Sequence, residues 1–180
     1  MNQYTIPDYM ENRRWEADNQ LTRKKYLLHL AQGSKHDKDI ASKIGGMLIY
    51  NQLIEQCLTD IVKNSIYYIK AELWPVEAEM DIDIDKATFG KVIDYFKQFA
   101  TVEPNRELIL SYLKKHNSKR NLVVHDLFDI QDLSKLGQEL DEFAELADEI
   151  LKLLMEYDEQ VRVNFRGLSR RVDFRNPPRR

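Results

Sequence analysis

The chain contains one cysteine, six glycines and five prolines in 180 residues, and these shortages narrow what it can be. Cys57 alone can form neither an internal disulfide nor a Cys-based zinc site, and its apolar neighbours make it a small buried filler. No run of about 18 apolar residues occurs, so no membrane-spanning helix is expected. The opening MNQYTIPDYMENRRWEADNQ lacks the apolar core of a signal peptide, and a cytoplasmic, reducing location is the expectation. Strand-like alternation is confined to MDIDID at 80–85, which is short and isolated and is read as extended loop.

Several chemistries are missing as well. His29, His36, His116 and His125 stand at no ligand spacing, and no HExxH occurs. The acids of DIDIDKATFGKV at 81–92 suggest a calcium loop, but the places for Gly and the final Glu hold Lys86 and Val92. Gly45-Gly46 follows no strand, so it reads as close helix packing rather than a phosphate cradle. No nucleophile elbow is present. Neither a metal nor any other cofactor is expected.

What remains is 43% hydrophobic and 32% charged, the profile of a helix-rich globular protein with a core of its own. A first helix is predicted from about Pro7 to Gln32, closed by Gly33, with Ser34 or Asp37 available to cap the next. Apolar residues at a 3.6-residue rhythm predict a long second helix from about Asp37 to Leu73. Asp85 reads as the cap of a short third helix carrying Phe89, Val92, Ile93 and Phe96. A fourth is expected over Arg106–His116, a turn or kink at HNSK, a fifth capped by Ser118 and ending near Ile130, and a sixth from about Leu133 to Phe165. The expectation is an all-α, single-domain bundle of about five to six helices without a sheet. Residues 1–161 form the body, with its core at about 37–160, and 162–180 form a tail.

That tail holds seven arginines against one acid, Asp173, a balance of +6 that leaves −9 on the body of a chain whose net charge is −3. One reading is recruitment of a polyanion, with Arg166, Arg170, Arg171 and Arg175 contacting RNA. The other is a solubilising, partly disordered extension.

KRNLVVHDLF at 119–128 sets polar groups into an otherwise apolar helix. On a helical wheel Asn121, His125 and Asp129 fall within about 80° of one another. Such a strip is a solvated face, a polar device at a dimer interface, or an active site. Arg120, expected in the first helical turn, would stand among free backbone N–H groups that favour an anion. A guanidinium binds phosphate oxygens and offsets transition-state charge, and an imidazole moves protons near neutral pH.

RNLVVH at 120–125 resembles the signature of the HEPN superfamily (higher eukaryotes and prokaryotes nucleotide-binding domains): Arg, four to six residues, then His, often with Asn directly after the Arg. With 12 Arg and 4 His, chance gives roughly 0.27 matches to the bare spacing, and requiring Asn lowers this to roughly 0.015. RKKYLLH at 23–29 also has a bare spacing and is read as accidental. The likeness extends to the order of helices over about residues 37–160. It implies a metal-independent endoribonuclease that uses the RNA 2′-hydroxyl as nucleophile, and a role as a toxin or antiviral-defence effector with an antitoxin or defence partner. His125 would transfer protons, Arg120 clamp the phosphate, and Asn121 act as a positioning donor. Glu55 on the second long helix would orient Arg120, and Asp129 would orient His125. A homodimer would bring two motifs into one cleft. In the branch neutralised by modification of a Tyr two residues after the motif His, the residue differs; here it is Leu127, which argues against that partner. The alternative is a non-catalytic helical dimer that binds RNA or nucleotide, or scaffolds a defence complex.

Overall fold

The computed structural model describes residues 24, 25, 27–29, 31, 32, 39–73, 82–100, 105–126 and 133–169. Among these every regular element is helical, and no strand occurs. Helix α1 spans Ile40–Glu72, α2 Phe89–Phe99, α3 Arg106–Asp126 and α4 Leu133–Ser169. The described residues before Asp39 are also helical; the rest of the segment expected as the first helix lies outside the described residues. The all-α bundle predicted from periodicity is therefore the fold.

The start of α1 is set by Asp39, whose carboxylate accepts the backbone N–H of Ser42 at 3.1 Å. Asp85 does not cap α2. It sits in a 3₁₀ turn at Ile84–Lys86 and pairs with Lys63 at 2.6 Å, while Thr88 occupies the cap position. Asn105 takes a φ of 82°, a left-handed conformation that Asn tolerates better than most residues, and its carbonyl receives the Ile109 N–H at 2.9 Å to open α3.

The frame is the pairing of the two long helices. Lys43 reaches Asp141 at 2.6 Å, Tyr50 donates to Asp148 at 2.7 Å, and Asn64 donates to Asp158 at 3.0 Å. Partners advance in the same direction along both chains, so α1 and α4 run parallel. Their inner faces supply Ile54, Leu58 and Ile61 from one side and Phe143, Ile150 and Leu154 from the other, all fully buried. Close approach near the helix starts is marked by Gly137, where a Cβ would lie 3.4 Å from Ile40 Cδ1. Gly46 is buried as expected for helix packing, whereas Gly45 faces open space. Helix α2 packs on α1 and buries Phe89, Val92 and Phe96; the Phe96 ring lies 5.3 Å from that of Tyr157 in α4, and α3 lies against α4 with Ile109, Leu113 and His116 buried.

Two boundaries differ from the sequence reading. The expected break at HNSK is absent, and α3 runs unbroken through it to Asp126. That stretch holds neither Gly nor Pro, so nothing in its backbone forbids the helix. Helix α4 continues past Phe165 through Arg166 to Ser169, into the segment read as tail. Arg170, Arg171 and Arg175 lie outside the described residues.

Candidate functional site

The unbroken α3 changes the setting of the motif. Ser118 caps nothing: its hydroxyl donates to the Lys114 carbonyl one turn back, at 3.1 Å. Arg120 consequently stands in the last third of a long helix, where backbone N–H groups are engaged in the helical ladder. The expectation of free backbone donors beside Arg120 is corrected. Any anion held there is held by side chains.

Helix α3 presents a core rhythm of Ile109, Leu113 and His116, and one turn further Arg120. His116 is 0% exposed, and among the described residues neither ring nitrogen has a hydrogen-bond partner. Its ring lies 4.6 Å from that of Phe143 in α4 and 5.8 Å, edge-on, from that of Phe89 in α2. Burial, reinforced by the positive charge of Arg120, pushes the imidazole down to about 4. At neutral pH it is an uncharged core side chain.

Arg120 is half-buried, with its guanidinium carbon 5.7 Å from the centroid of the same Phe89 ring. Such a cation–π seat contributes about 0.5–2 kcal/mol, more as water is excluded. Among the described residues no carboxylate pairs with Arg120. Its neighbour Lys119 differs: it bridges to Glu139 at 3.0 Å and Glu142 at 2.6 Å, tying α3 to α4. Burial alone would lower the Lys119 ammonium, but the hydrogen bonds to Glu142 and Glu139 outweigh it and the net shift is upward. Two adjacent cations thus differ: Lys119 is paired with two carboxylates, and Arg120 with none among the described residues.

Asn121 is exposed beside Arg120. The backbone at His125 is helical, but its side chain, like all of Asp129, lies outside the described residues. Glu55 makes no ion pair with Arg120. It is half-buried on α1 and lines a half-open cleft of about 440 Å³ together with Lys24, Gln52, Gln56, Thr59 and Asp85. Arg166, on α4, lies 3.8 Å from Glu159, too long for a strong pair and within reach of solvent. His29, from the accidental second match, is exposed on the helical segment preceding α1.

Two participants were not singled out by sequence reasoning: Phe89 as the platform for Arg120, and His116 beneath it. The signal for His116 was present, because it continues the apolar rhythm of α3 and precedes Arg120 by four residues. Among the described residues no three His, Cys, Asp or Glu side chains cluster as metal ligands, and no helix is long and apolar enough to cross a membrane. Comparison with protein-family models, curated proteins and solved structures finds no match for the chain.

Proposed function

We propose that the protein is a metal-independent endoribonuclease in which Arg120 grips the scissile phosphate and His125 transfers protons, as the likeness of its RNLVVH segment to the HEPN signature implies. The observation that carries this reading is the state of Arg120. It is held on an aromatic ring, close to a neutral histidine, with no carboxylate among the described residues to occupy its donors. A guanidinium so placed can take two phosphate oxygens at once and offset charge that grows on them in the transition state.

In the reaction the ribose 2′-oxygen attacks the adjacent phosphorus and loses its proton. The 5′-oxygen leaves and gains one. The products are a 2′,3′-cyclic phosphate and a 5′-hydroxyl. Asn121, exposed beside Arg120, is available to donate to a phosphate or ribose oxygen. A toxin or antiviral-defence role, with an antitoxin or defence partner, belongs to this reading.

The competing reading is a non-catalytic helical module that binds RNA or nucleotide. It draws support from the unbroken α3, which leaves the anion without helix-start donors. Labelled RNA incubated with the protein in EDTA separates the two. Cleavage is expected, and Arg120→Ala should lower its rate about 10²–10³-fold and His125→Ala about 10²–10⁴-fold. A substrate with 2′-deoxyribose at the cleaved nucleotide should resist, and the double variant Arg23→Ala, His29→Ala should retain full activity. Binding without cleavage gives the module reading. Undiminished cleavage by His125→Ala overturns the mechanism.

A further inference from the structure

We propose that His116 is the proton-linked partner of the anion seat at Arg120: when a phosphodiester occupies the guanidinium, the buried imidazole beneath it takes up a proton. This rests on Arg120 being an anion-binding group, as argued above, and adds a regulation of that site by pH.

Buried polar groups are almost always hydrogen-bonded. A neutral imidazole has one donor and one acceptor nitrogen, and in His116 both are buried with no partner among the described residues. The ring is instead held by aromatic contacts, to Phe143 and to Phe89, and aromatic π-systems support a cation as well as an uncharged ring. Among the described residues, what opposes protonation can be named. Burial comes first, and the charge of Arg120, one turn along the same helix, comes second. Helix α2 presents Phe89 and α4 presents Phe143, neither charged. Glu139 and Glu142 of α4 are engaged by Lys119.

Arg120 and His116 also share one platform, since Phe89 touches both. An anion on Arg120 cancels the charge that repels the imidazolium and leaves the aromatic support in place. The proton comes from solvent, and no bond other than N–H is made. Linkage is reciprocal: if a bound diester eases protonation of His116, a protonated His116 tightens diester binding by the same factor. A protonation midpoint raised by one pH unit corresponds to a limiting change of about tenfold in affinity.

The test uses the full chain and a short oligothymidylate, whose diesters are uncleavable by 2′-hydroxyl attack and keep their charge across the titration. The His116 ring is followed by NMR against pH, with and without saturating oligonucleotide, in the wild type and in Arg120→Gln. The expected result is a midpoint near 4 in the free protein that rises on saturation, together with affinity that tightens as pH falls. In His116→Leu the affinity should have a flatter pH dependence. Should that variant not fold, the wild-type titration decides alone. Binding that needs Arg120 but leaves the His116 midpoint unmoved overturns the linkage and spares the anion seat. Absent binding, or binding indifferent to Arg120→Gln, removes the seat and the linkage with it.

Discussion

Arg120 and His116 sit one turn apart on α3 and differ in every respect that matters for chemistry. One is permanently charged and half-buried on a ring face; the other is sealed and neutral. The difference has a measurable consequence for stability. An unfolded histidine titrates near 6.5, and folded His116 is held down to about 4. Between those values the unfolded chain binds a proton that the folded chain refuses. Stability from this residue is therefore complete above about pH 6.5 and declines as pH falls toward 4. At pH 5 the loss is about 2 kcal/mol, from about 1.4 kcal/mol per pH unit. Denaturant unfolding of the wild type and of His116→Leu at pH 7.5 and pH 5 checks this. The wild type should lose about 2 kcal/mol more than the variant on acidification. Equal losses would mean that the imidazole is not sealed in the folded state. From sequence, a histidine on a wheel counts as polar, and this is why His116 does not register as part of the α3 core stripe. Its position on the Ile109–Leu113 stripe carried the information; its side-chain class concealed it.

Helix boundaries show the same competition between local and tertiary signals. The long runs of α1 and α4 were legible because their apolar residues recur at the helical period for many turns. HNSK suggests a turn because Asn and Ser favour caps and turns when nothing else decides. Here Leu113 before it and His116 at its start are buried, and Lys119 at its end is clamped by Glu139 and Glu142, so packing on α4 carries the helix through. Ser118 tests this directly. A capping serine replaced by alanine costs about 1 kcal/mol. A mid-helix serine that bonds back to its i−4 carbonyl costs nothing on the same change, and alanine has the better propensity by a few tenths of a kcal/mol. Ser118→Ala should accordingly unfold at the same or slightly higher denaturant concentration than the wild type. A clear loss of stability would restore the helix start at Ser118, and with it the free backbone donors beside Arg120.

At the scale of the whole molecule, the parallel pairing of α1 and α4 was the feature least visible in the sequence. Lys43 and Tyr50 are seven residues apart, as are Asp141 and Asp148, but a shared spacing does not say in which direction two helices run. Only the contacts do. The candidate site was legible as a motif and not as a surrounding, since Phe89 comes from α2 and Phe143 from α4. Those surroundings bear on the assembly that the proposed reaction requires. Cleavage by 2′-hydroxyl attack removes one proton and delivers another, and a single His125 serves one of these transfers at a time. His116 does not supply the second, because its ring is fully buried and cannot touch the leaving oxygen. His29 is exposed on the segment preceding α1, outside the α3 site. The proposed reaction would take its second transfer group from another copy of the chain, with two α3 motifs facing one RNA strand. Light scattering should give a mass near twice 21.4 kDa. Specific cleavage activity should fall on dilution as the dimer dissociates, while circular dichroism stays unchanged. A protein that is monomeric at tens of micromolar and still cleaves with undiminished specific activity would show that one chain completes the site.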